Sequence, residues 1–177
     1  MSYDLYVWDP ARHAPIPATD SEAYDTRERL SELNDGWNST LTEFGSVLAQ
    51  RFEADPRVSA AGMEAFWGTD PRKVIAACKT AAVCLALPTD NCTQQIAYAV
   101  EAAAALGLVV YDDNYGSCFL PDGTILPEDM KAIWASDLVE LKADIADPGR
   151  KKTDGRNIWQ RIAGELFDAL GRGEKSR

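Results

Sequence analysis

The sequence predicts an α+β fold: a small mixed β-sheet containing a βαβ unit, packed with several helices and followed by two C-terminal helices. Three observations carry this. Tyr3 to Asp9 is rich in aromatic and branched residues and alternates with period two. Thr80 to Leu87 is a continuous apolar run closed by Pro88, as a central strand buried on both faces would be. Between and after these lie segments with helical apolar spacing and cap residues at their ends.

Taken in order, the strand from Tyr3 to Asp9 leads into a connection that Pro10, Pro15 and Pro17 keep extended. Thr19 followed by Glu22 is a capping box for a helix reaching Leu33, and Asn34-Asp35-Gly36 stops it. A second such signal, Thr40 to Glu43, opens a helix to about Ala54, with Leu41, Phe44, Val47, Leu48 and Phe52 along one face. Asp55-Pro56 ends it, and Phe66 to Pro71 reads as a loop anchored by two aromatics.

After the Thr80–Leu87 strand, a helix from Cys92 to Leu106 presents Ile96, Ala99, Val100, Ala103 and Leu106 to the core, with Gly107 as its C′ residue. Leu108 to Tyr111 is the next strand. Strand, helix and strand form the βαβ unit, expected to be parallel and right-handed. Asp112 to Gly116 and Asp122-Gly123 are turns around short strands at Ser117–Leu120 and Thr124–Leu126. Pro127 opens a helix with Met130, Ile133, Trp134, Leu138, Leu141 and Ile145 in helical register, and Ile158 to Leu170 is a last amphipathic helix. The expected organisation is a core at 1–126, a helical extension at 127–171 packed on it, and a disordered tail at 172–177.

At 177 residues, 46% apolar and 26% charged, the chain fits a single domain that buries roughly two thirds of its unfolded surface without a staple. The opening residues lack a basic segment ahead of an apolar one, and the most apolar window, Ala76 to Pro88, is too short for a membrane span. The expectation is a soluble, cytoplasmic protein. Its charge of −10 is uneven: residues 1–128 hold 19 acids and 8 bases, while 129–177 hold 9 acids and 10 bases. An acidic body repels phosphate backbones, which argues against nucleic acid, and attracts a basic protein.

Chemical motifs are scarce. There is no phosphate-binding glycine loop and no nucleophile elbow. Cys78, Cys84, Cys92 and Cys118 have no CxxC spacing, and only His13 could complete a zinc site; the cysteines are expected as reduced core thiols, and His13 as an exposed loop residue. No cofactor and no metal is expected. A carboxylate-only hydrolase remains open, because two carboxylates suffice for some hydrolyses. Asp112 and Asp113 end a strand of the βαβ unit, where α/β sheets place ligand sites, though the same residues also suit a plain turn. Trp37 and Trp67 lie in or near loops and are candidate interface anchors. With Asp70, Asp112, Asp113 and Tyr115 they form the expected partner-binding set.

The opening Met1-Ser2-Tyr3-Asp4-Leu5-Tyr6-Val7-Trp8 resembles the start of a family of small bacterial proteins that begin MSYDLxVW. Gly107-Leu108-Val109-Val110-Tyr111-Asp112, preceded by Ala102, is similar to that family's A…GLVxYDPQ segment, and Trp67 to Pro71 to its W-x-x-x-P loop. The resemblance covers scattered blocks of residues 1–120. This chain departs from the pattern at Asp113-Asn114 and adds the helices after Pro127. Members of the family look like immunity proteins of polymorphic-toxin systems, which implies neutralisation of a cognate toxin domain, in this case a basic one, by stoichiometric binding. No catalytic residue is implied. The alternatives are a hydrolase that reverses a toxin's modification and an adaptor that dimerises through its C-terminal helices.

Overall fold

The computed structural model describes residues 2–13, 15–35, 37–55, 58, 68–88 and 92–146. The described elements run β1 (Ser2–Trp8), α1 (Pro10–His13), α2 (Asp20–Glu32), α3 (Ser39–Ala54), α4 (Pro71–Ala77), β2 (Ala82–Pro88), α5 (Cys92–Ala105), β3 (Val109–Asp112), β4 (Ser117–Phe119), β5 (Ile125–Leu126) and α6 (Met130–Ala146). The fold is α+β. The expected last helix, Ile158 to Leu170, and the tail lie outside the described residues.

Cap chemistry sets the helix starts. The Thr19 hydroxyl accepts from the Glu22 N–H at 3.2 Å, and the Glu22 carboxylate accepts from the Ala18 N–H at 2.8 Å. Together these give the reciprocal pattern expected for α2. For α3 the cap is Asn38, two residues before the expected signal: its side-chain oxygen accepts from the N–H groups of Thr40 and Leu41 at 2.9 and 3.2 Å. Its amide also donates to Asp9 at 3.4 Å, fastening the start of α3 to the end of β1. Replacing Asn38 with alanine should therefore cost about 1–2 kcal/mol. Chemical denaturation reads this directly, and a loss below about 0.3 kcal/mol would show that the cap does not hold the helix.

Two connections differ from expectation. The proline-rich stretch begins with a one-turn helix, because Asp9 buries its carboxylate over the Ala11 N–H at 2.9 Å and Pro10 takes the first helical position. Pro71, expected as the end of a loop, opens α4, which Asp70 caps through the Arg72 N–H at 2.9 Å. At the other end of α5, Gly107 does what its sequence position suggests. It sits at φ +72°, while the N–H groups of Gly107 and Leu108 return to the carbonyls of Ala104 and Ala103 at 3.2 and 2.9 Å.

The sheet order is β2-β1-β3-β4-β5, and every pairing is antiparallel. This corrects two expectations. β2 is an edge strand rather than a central one, and the βαβ unit is split. β2 and β3 run in the same direction, but β1 lies between them, with Leu5 opposite both Leu85 and Asp112. On one face of β2, Val83, Leu85 and Leu87 are nonetheless buried; on the other, Ala82 packs under α2 while Ala86 is exposed.

Alternation sorts the strand residues. Tyr6, Trp8, Ala82, Val109, Tyr111, Cys118, Leu120 and Leu126 pack with Ala23 and Leu30 of α2 on one face. The intervening residues, among them Leu5, Val7, Val83, Leu85 and Val110, are buried on the other face, where α5 meets β1, β2 and β3 and α3 packs on α5. Pro127 follows a cis peptide, and α6 begins three residues later, at Met130. Trp134 of α6 packs its ring on Phe119 at 4.8 Å but stays half-buried.

Chain contacts divide the molecule into Met1–Ala135 and Ser136–Arg177, so the expected boundary near 127 falls inside the first unit. Within the second, the described part is the continuation of α6 to Ala146, on which Val139 is 70% exposed. No described helix is long and apolar enough to cross a membrane.

Candidate protein-binding surface

The expected partner-binding residues do not converge. Trp67 lies outside the described residues. Asp70 is buried and committed: besides capping α4, it holds the Arg72 guanidinium at 2.8 to 3.1 Å, and that contact keeps its carboxyl below the usual range. Its carboxylate is engaged within the chain.

Asp112 and Asp113, adjacent in sequence, separate onto opposite faces of the sheet. Asp112 is 1% exposed. Its carboxylate accepts from the Tyr3 hydroxyl and from the N–H groups of Asn114 and Tyr115 at 3.0 and 3.2 Å, shaping the β3–β4 turn. Burial pushes its pKa up to about 6 against those three donors, which pull it down. Tyr115 is half-buried with its ring 5.9 Å from that of Tyr3. Asp112 is therefore unavailable to a partner, and Tyr115 is partly so.

Asp113 faces α2 and receives the Arg27 guanidinium. This arginine is the principal residue that the sequence did not reveal. It is 7% exposed and lies over the rings of Tyr6, Tyr24 and Tyr111, with Cζ 4.8, 4.9 and 5.6 Å from their centroids. Glu28 and Asp113 neutralise it. Tyr24 and Arg27 are three apart on α2, a spacing that sequence can show. Tyr6 and Tyr111 reach the cluster only through the β1–β3 pairing, which sequence cannot show.

The chemistry available here is limited. Burial first, then the neighbouring Cys84 thiol, pushes Tyr6 up to about 12, and burial also raises Tyr111, so both rings stay neutral. Burial raises the Cys84 thiol and takes Cys118 up to about 12. Neither is an activated nucleophile. His13 is not an exposed loop residue: its ring is mostly buried on α1 and contacts Asp35 at 3.0 Å, beside an Arg12–Asp35 ion pair at 2.9 Å. Among the described residues no group of three His, Cys, Asp or Glu side chains is placed to hold a metal.

What remains exposed is a set of apolar side chains on and beside α2. Of the five large apolar side chains exposed among the described residues, four fall between residues 16 and 37: Ile16, Tyr24, Leu33 and Trp37. Trp37 is 75% exposed, yet its backbone is held in place. Its carbonyl accepts from Arg12 at 3.0 Å, and Arg12 also pairs with Asp35. Around these side chains, residues 20–35 carry six acids and two bases. Arg27 is buried, and among the described residues Asp20, Asp25 and Glu32 form no ion pair. Of the expected set, Trp37 lies here and Asp113 anchors α2 from beneath. No family model and no curated protein matches the sequence, and no solved structure matches the fold.

Proposed function

We propose that this protein is a stoichiometric inhibitor of the immunity type, which neutralises a basic toxin domain by binding it and occluding its active site. The observation that carries the reading is the exposure of Ile16, Tyr24, Leu33 and Trp37 on and beside α2, in a segment whose Asp20, Asp25 and Glu32 form no ion pair among the described residues. Large aromatics inside a charged rim are the composition of a protein interface centre. The negative field would speed encounter with a basic partner, and the aromatics would slow release. The resemblance of the N-terminal strand to the MSYDLxVW family points the same way.

The hydrolase alternative gains no support from the geometry, because Asp112 and Asp113 sit on opposite faces and each is engaged in a structural contact. Affinity purification of the tagged chain from its host, followed by titration of the co-purifying domain's toxicity, tests the proposal. Protection complete at one-to-one is expected; protection at substoichiometric amounts would show a catalytic antidote instead. Trp37→Ala should weaken that complex by about thirtyfold or more. The same variant should move folding stability by no more than about 0.5 kcal/mol, because the side chain packs on little.

A further inference from the structure

We infer that β2 is a self-complementary docking edge, along which two copies of this chain pair antiparallel into one continuous sheet. The inference stands apart from the inhibitor reading and uses a different element, β2.

Backbone geometry supplies the argument. The Asp4 carbonyl accepts from the Asp113 N–H at 3.2 Å, and the Asp4 N–H reaches the Asn114 side chain at 3.0 Å, so the backbone of Asp4 faces the β3 side. In an antiparallel sheet both groups of a residue point to the same side and successive residues alternate. Tyr6 and Trp8 therefore also face β3, and Tyr3, Leu5 and Val7 face β2. Their partners Leu87, Leu85 and Val83 use their backbone groups on β1. The groups of Ala82, Cys84, Ala86 and Pro88 point outward, to an edge that no described strand covers, with Gly68 beside the Pro88 ring at one end.

These outward groups are not equivalent. The Ala82 carbonyl is already occupied by the Thr80 hydroxyl at 2.8 Å. Pro88 has no N–H to offer. Cys84 and Ala86 present both groups, and none of them meets a described residue. The Leu33–Asp35 segment does not cover this edge. It pairs with residues 79–81 through the Ala81 N–H, 2.8 Å from the Leu33 carbonyl, and Ala81 faces the β1 side by the same alternation.

Turning a second copy about Leu85 places Cys84 opposite Ala86 of the partner strand, and Ala82 opposite Pro88. Cys84 and Ala86 then exchange both bonds. The Ala82 N–H meets the Pro88 carbonyl, and the N–H that Pro88 lacks falls opposite the carbonyl that Thr80 has already filled. Every outward group finds a partner or needs none. The strand carries no charge in a chain of −10, so two acidic molecules meet here without direct repulsion. The opposite edge, β5, is two residues long. A sheet extended through β2 therefore closes at two copies.

Analytical ultracentrifugation of the full chain over a concentration series should give a reversible species of twice 19.4 kDa. A chain that stays monomeric into the high micromolar range overturns the proposal. Ala86→Pro removes an outward N–H from each copy while sparing the β1 ladder, and should weaken the dimer by about thirtyfold or more. A folded Ala86→Pro chain that still dimerises as well as the parent also overturns it. Should that variant unfold, hydrogen exchange on the parent decides. The Ala86 amide must lose protection on dilution while the Leu85 amide keeps it; equal behaviour of the two overturns the proposal.

Discussion

Replacing Arg27 with alanine should destabilise the protein by about 2–3 kcal/mol, which for a chain of this size lowers the melting temperature by roughly 4–12 °C. Removing one member of a buried ion pair commonly costs more. Here the partner carboxylates of Asp113 and Glu28 are 34% and 50% exposed, so water reclaims them when the guanidinium goes. The larger loss is packing: three tyrosine rings close on one planar group, and alanine leaves the space between them empty. Arg27→Lys tests the geometry separately. A lysine keeps the charge but cannot lie flat between rings or fork to two carboxylates, so about 1–2 kcal/mol should still be lost. A cost for Arg27→Ala below about 0.5 kcal/mol would mean that α2 is held by Ala23 and Leu30 alone.

Asp112→Asn should do the opposite. The folded carboxyl titrates at about 6 and the unfolded one at 3.8. Below the lower value both states are protonated and the group is neutral in its effect. As pH rises from there to about 6, the unfolded chain ionises freely while the folded one resists. Stability is lost across that window, and the full loss persists above it. Two pKa units correspond to at most about 3 kcal/mol.

Asparagine is nearly isosteric and never ionises. Its oxygen can keep the N–H groups of Asn114 and Tyr115, and its amide can donate to the Tyr3 oxygen once that hydroxyl rotates. The variant should therefore gain about 1–3 kcal/mol at pH 7 and match the parent near pH 3.5. Urea melts at both pH values would check it. A variant uniformly weaker at both would mean that the three donors, rather than burial, govern the carboxylate.

Local signals were legible in the sequence. The alternation of Tyr3–Trp8, the Thr19–Glu22 box and the glycine after α5 each act within a few residues, and each lies where its chemistry requires. The misreadings came from long-range effects. The run of residues 80–87 reads as a central strand, but β2 is an edge: Val83, Leu85 and Leu87 are buried on one face, whereas Ala86 on the other is apolar and exposed. Asp112-Asp113 read as one acidic pair, but strand alternation sends the first to Tyr3 and the second to Arg27. Nothing local in the sequence marks Arg27, since two of its three ring partners arrive from strands distant in the sequence.

The position of β1 in the sheet has a consequence for biosynthesis. This strand is made first yet sits between β2 and β3, so its ladders are Leu5 to Leu85 and Leu5 to Asp112. On the ribosome, β1 must remain unpaired until β2 has been translated, and its second ladder waits further for β3. Its apolar side chains are open to chaperones, or to misassociation, throughout that interval. Helices α2 and α3 can form early from local contacts, but closure of the sheet is a late event that depends on nearly the whole of the first unit.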